Sequence, residues 1–138
     1  MKITVLLVVL LLFSSSIITA EISPVEYQKM QEQSDEHLLI RIKQVKAPLR
    51  LFSRNRSVTI LAEVLSVYRS DSNISTGDQI KIRYTSYRVR PTVAGPRPIG
   101  VLQKDESYHA FLSWSDEEQC YVPSARGYSF EPPISPRW

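Results

Sequence analysis

The stretch SVTILAEVLSVYRS, Ser57 to Ser70, constrains the fold more than any other part of the chain. It is rich in β-branched residues, longer than an ordinary strand, and apolar at both parities. Val58, Ile60, Ala62 and Val64 line one face, while Leu61, Leu65 and Val67 line the other. A strand with two apolar faces must be covered on both sides or must bend to serve two surfaces. The second solution is the one small barrels use.

The segments around it follow the same logic. LLIRIKQVK, Leu38 to Lys46, alternates Ile40 and Ile42 with Arg41 and Lys43, which is the period of a strand. GDQIKIRYTSYRVRP, Gly77 to Pro91, opens on a turn and then alternates Ile80, Ile82 and Tyr84 with Lys81, Arg83 and Thr85. Basic residues threaded with tyrosines resemble a single-stranded nucleic-acid groove when read as a line. Period 2 separates them: Tyr84 points to the core, away from Lys81 and Arg83, and only Tyr87 is left near the cations. ESYHAFLSW and QCYVP form a hairpin around the acidic turn SDEE. PTVAGPRPIG is a Pro- and Gly-interrupted connection. SPVE before YQKMQEQ is a helix start, with Ser23 as cap, Pro24 in the first position and Glu26 closing an S-x-x-E box. The expected fold is mostly β: a small five-stranded, OB-like antiparallel barrel with a short N-terminal helix. Residues 21–36 form the helical segment, 37–131 the barrel and 132–138 a Pro-rich tail, with Tyr128 and Phe130 just before the tail pinning the chain end to the barrel.

The N-terminus, MKITVLLVVLLLFSSSIITA, has one Lys, a largely apolar run from Ile3 to Phe13, three serines and a small residue at Ala20. That is the layout of a signal peptide over residues 1–20, with cleavage after Ala20. The run is short of the roughly 20 apolar residues that a spanning helix needs, and an uncleaved anchor is the alternative. The expected location is secreted or periplasmic, with no stable membrane span after cleavage. The lone Cys120 leaves no intramolecular disulfide, so the core must hold itself. Its acidic neighbours disfavour a reactive thiolate.

Charge is segregated along the chain. From His37 to Gly100 there are 12 Lys and Arg against Glu63, Asp71 and Asp78, a net +9. Residues 21–36 carry −4 and residues 101–138 carry −3. Either the basic middle presents a face to an anionic partner, or the acidic flanks fold back and neutralise it.

AEVLSVYRS, STGDQIKIRY and GPRPIGVLQKDESYHAFL, between Ala62 and Leu112, resemble the central part of netrin-like/TIMP-like OB-fold domains, and YVPSARGYSFE resembles the close of exported bacterial domains of that type. The resemblance implies an OB-like barrel and, as an alternative function, a protease-inhibitory module. Such inhibitors chelate the protease zinc through an N-terminal cysteine. The expected mature N-terminus here is Glu21, which argues against carrying inhibition across. Lys104-Asp105 also stands where the pattern has a glycine turn.

Catalytic and metal chemistry finds little footing in the sequence. There is no G-x-S-x-G elbow and no phosphate-cradling loop. His37 and His109 lie far apart in sequence, with Cys120 the only thiol, which is no metal-ligand spacing. Glu117 and Glu118 are adjacent on a turn and point apart. The chain is therefore read as a binding module rather than an enzyme, with no cofactor and no metal. OB barrels bind extended ligands on the face of their second and third strands and the adjoining loops. Here that site would comprise Lys81, Arg83, Tyr87, Arg88, Arg90 and Arg97, with Arg54 and Arg56 also on the rim. A protein or anionic polysaccharide is the expected partner, nucleic acid is not, and the domain is expected to be a monomer. A solvated face that merely keeps an edge soluble is the competing reading. Asn55 and Asn73 begin N-x-S patterns, which carry meaning only in a eukaryotic secretory pathway.

Overall fold

The computed structural model describes residues 22–49, 51–87 and 97–133. Residues 1–20, read as a signal peptide, lie outside them, as do Arg88, Arg90 and the tail after Pro133. Helix α1 (Pro24–Glu32) is followed by strands β1 (Glu36–Lys46), β2 (Asn55–Ser70), β3 (Gln79–Tyr87), β4 (Ser107–Ser115), β5 (Cys120–Pro123) and β6 (Phe130–Glu131), with a 3-10 turn at Arg126–Tyr128. Strand order is β1-β2-β3-β5-β4, closed by pairing of β1 with β4. β6 adds to β4 below β5, through His109↔Glu131 and Ala110↔Phe130. Among the described residues the result is a small closed barrel, mostly β, with one short helix outside. It is compatible with an OB-like fold.

One pairing differs from an all-antiparallel barrel. β3 and β5 run parallel, meeting at Ile82↔Tyr121. The cause is parity: in a closed ring of five strands, alternating directions cannot be satisfied all the way round, so one neighbouring pair must run parallel. β3 and β5 carry that mismatch over a single register pair.

The two apolar parities of β2 have a specific resolution. Val58, Ile60, Ala62 and Val64 all face the core and are fully buried. The β1–β2 register then slips between Leu39 and Ile40, where Leu39 pairs Ser66 but Ile40 pairs Val64, leaving Leu65 as the extra residue. A bulge of one residue reverses the parity of everything beyond it. Val67 therefore turns inward opposite Leu38 and packs on the core. Of the two remaining slips, the one between Ile42 and Gln44 makes Lys43 the extra residue and turns Val45 inward, and the one between His37 and Leu38 makes Tyr68 the extra residue on β2. Bulges also bend the long strand, which lets β2 pair with β1 and β3 around the ring.

Tyr84 stands on the core side as its parity dictates, and its hydroxyl donates to the Gly100 carbonyl at 2.8 Å. Burial pushes its phenol up to about 12. The neutral phenol is the form the fold prefers, so this stability is present below the ordinary value of 10 and lost as pH rises from 10 towards 12. Wild-type protein is expected to lose about 2–3 kcal/mol more than Tyr84→Phe between those limits. Chemical denaturation of both proteins across that range measures the difference, and parallel curves would refute it.

α1 begins as its capping sequence requires. Ser23 is extended at φ −66° and ψ 151°, and its hydroxyl accepts from the Glu26 amide. Only Tyr27 is buried, tilted against Tyr128 at 4.4 Å between ring centres. Arg69 of β2 secures the other end: its guanidinium donates to the Gln31 carbonyl at 2.9 Å and the Ser34 carbonyl at 3.0 Å. A cation on the last carbonyls of a helix is favourable with both the unpaired groups and the dipole. Phe130 packs near Tyr84 of the barrel, with 5.8 Å between ring centres, whereas Tyr128 packs on Tyr27 of α1.

A candidate anion-binding face and groove

The outer face of β1–β3 follows from register alone. Inward residues of β3 are Ile80, Ile82 and Tyr84, which leaves Lys81 and Arg83 outside. Lys46 pairs Thr59, and Thr59 pairs Arg83, so these three form one cross-strand row. Gln44, Leu61 and Lys81 form the next. With strands about 4.8 Å apart, Lys46 and Arg83 stand roughly 10 Å apart across β2. Lys43 and Arg41, both exposed, continue the basic face along β1.

Two carboxylates answer part of this charge. Glu63 lies 3.3 Å from Lys43, and Glu118 of the β4–β5 turn lies 3.9 Å from Arg83. Both pairs are partly exposed, so each contributes well under about 1 kcal/mol. The folding-back of an acidic flank onto the basic middle is thus realised at Arg83. Among the described residues, Lys81 and Lys46 enter no ion pair.

Lys81 also lines a groove of about 460 Å³ at the end of the barrel where the β2–β3 and β4–β5 turns meet. Asp78, Gln119, Cys120, Tyr121 and Trp114 share it. Trp114 is half-exposed, held edge-on to Tyr121 at 5.0 Å, and its indole N–H donates to Asp116 at 2.9 Å. The ring is thereby fixed in orientation with one part open to solvent. Gly77, at φ +93°, makes the β2–β3 turn that forms the groove's other wall. Cys120 is buried, in keeping with an unreactive thiol.

The other expected site residues separate. Tyr87 is exposed at the far end of β3, opposite Asn55. Arg56 turns its Nε to the Ala47 carbonyl at 2.7 Å and braces the base of the β1–β2 loop. Arg97 sits over the Tyr128 ring at 5.3 Å, and its carbonyl lies where any Cβ on Gly127 would have to go. Its described neighbours belong to the 3-10 turn and not to the β3 face. Arg88 and Arg90 lie outside the described residues.

Pairing of β1 with β4 brings together two histidines far apart in sequence. His37 Nε2 and His109 Nδ1 are 3.4 Å apart, and His37 is stacked between Phe111 at 4.3 Å and Tyr68 at 4.7 Å. Burial lowers the His37 pKa below its ordinary value, His109 and Arg69 lower it further, and Glu131 opposes them. The ring is thus kept neutral as a packing element. Among the described residues no group of three or more His, Cys, Asp or Glu is placed to hold a metal, and no helix is long and apolar enough to cross a membrane.

Comparison of the chain with protein-family models, with curated proteins and with solved structures finds no match.

Proposed function

We propose that this chain is an exported, non-enzymatic binding module that holds an anionic polysaccharide across the outer face of β1–β3. The observation that supports this most is the position of Lys81, which belongs both to the basic face and to the groove containing Trp114. Cations alone attract any polyanion. A half-exposed, oriented indole beside them offers a flat apolar surface to a sugar ring, and Asp78 and Gln119 offer hydrogen-bond partners to its hydroxyls. Lys46 and Arg83 would take carboxylate or sulfate groups further along the polymer, and Arg88 and Arg90 extend the same basic sequence. Export, which the N-terminal sequence suggests, and a small net charge both favour a polysaccharide over nucleic acid. The netrin-like/TIMP-like kinship is proposed for the barrel alone; inhibition of a zinc protease is the function it would otherwise suggest.

The test is retention on immobilised heparin compared with a plain sulfopropyl exchanger. Elution from heparin at distinctly higher salt supports a site that recognises the polymer. Elution of both at the same salt would leave only non-specific charge and refute the proposal. Glu118→Gln frees Arg83 from its partner and is expected to raise the salt needed to elute from heparin. An unchanged or lower value would show that the pair does not compete with the ligand.

A further inference from the structure

Four of the large apolar residues exposed on the described surface lie at one end of the barrel. Leu49, Leu51 and Phe52 in the β1–β2 loop are 78, 93 and 104 % exposed, and Tyr87 stands at the loop's base opposite Asn55. A single exposed leucine needs no explanation, but three large apolar side chains without cover within four residues, with Arg50 between them in sequence, do. The loop is braced from below: Arg56 holds the Ala47 carbonyl, and the Ser53 hydroxyl accepts from the Asn55 amide at 3.1 Å. The apolar tip is therefore carried outward on a supported base.

The flanking sequence is mostly basic, with Lys43 answered by Glu63 and Lys104 followed by Asp105 and Glu106. From His37 to Ala62 the sequence holds six Lys and Arg and no acidic residue. Lys43, Arg56 and Lys104 line a groove of about 430 Å³ that opens beside the loop's base. The order is thus an apolar tip, an amphipathic tyrosine and a cationic shoulder. That order matches the layers of an anionic bilayer surface, where the acyl boundary lies beneath negative headgroups. The cationic shoulder behind a projecting apolar tip favours an anionic lipid surface over an uncharged protein pocket. We infer that the β1–β2 loop is a wedge that inserts Leu49, Leu51 and Phe52 into the interface of an anionic lipid membrane, with the basic shoulder on the headgroups. The polysaccharide groove lies at the opposite end of the barrel, so this inference stands independently of that reading.

The test places an environment-sensitive fluorophore on the loop of the full chain through Phe52→Cys, with Asp116→Cys on the β4–β5 turn as control. Native Cys120 is buried and stays unlabelled in the folded protein. On vesicles containing phosphatidylglycerol, the probe at residue 52 is expected to shift to the blue and brighten several-fold. The probe at 116 should not respond, and neither should the probe at 52 on pure phosphatidylcholine at physiological salt. Adding Leu51→Asp should abolish the response. Because the reporter sits on the loop, membrane attachment through residues 1–20 does not imitate the signal. An unchanged probe at 52 on anionic vesicles overturns the proposal, as does an equal response on phosphatidylcholine. A response that appears without lipid and grows with protein concentration would assign the loop to a second copy of this chain and overturn it too.

Discussion

Ile60→Ala is expected to lower the free energy of unfolding by about 3–4 kcal/mol, while Leu61→Ala, one residue along, costs less than about 1 kcal/mol. Ile60 is fully buried and lies in register between Val45 of β1 and Ile82 of β3. Truncating it removes buried methyl and methylene groups and leaves a cavity in a ring that cannot collapse around it. The chain has a single cysteine, so no intramolecular disulfide supplements the core. A domain of this size has a total stability of about 5–15 kcal/mol, so the loss is a large part of it. Leu61 stands on the outer face beside Lys81 and gives up only partial contacts. Urea denaturation of the two variants reads the difference directly. Equal losses would mean that the inside and outside of β2 have been assigned wrongly.

That same strand illustrates what could be read from sequence. The alternation of β3 placed Ile80, Ile82 and Tyr84 inside and Lys81 and Arg83 outside, because a regular strand keeps its parity. β2 has apolar residues at both parities, and periodicity alone could not say how they would be reconciled. The reconciliation is a bulge at Leu65, a property of register with β1 and not of β2 by itself. The parallel β3–β5 pair likewise belongs to ring closure, which no local pattern encodes.

The candidate site was legible to the same degree. Lys81 and Arg83 follow from local alternation. Lys46 joins them only once strands are paired, and Trp114 only once the β4–β5 turn is set against the β2–β3 turn. The Pro-rich connection gives no sign of where Arg97 runs, and its described contacts are with the 3-10 turn and not with the face. The meeting of His37 and His109 was invisible for the same reason, since β1 and β4 are brought together by closure of the barrel.

The second large effect concerns the basic face. Replacing Lys46, Lys81 and Arg83 together by Ser is expected to weaken heparin binding by roughly 10- to 100-fold at physiological salt, taking each exposed cation at about 0.5–1 kcal/mol. Fold and stability should change little, because the three side chains point away from the core and Arg83 has only its long pair with Glu118 to lose. The effect should shrink as salt rises, since screening acts on exposed charges. Isothermal titration with a heparin fragment at two salt concentrations measures both. Wild-type affinity in the triple variant would mean that the polymer, if it binds, uses another surface.

The most direct measurement of the central claim is a map of amide shifts as a heparin-derived oligosaccharide is titrated into the isotopically labelled protein. The largest changes are expected at Lys46, Thr59, Lys81 and Arg83 and at the Trp114 indole, with α1 and the 126–128 turn unaffected. Changes centred on α1 and that turn, or no saturable change anywhere, would contradict the assignment of the β1–β3 face as the site.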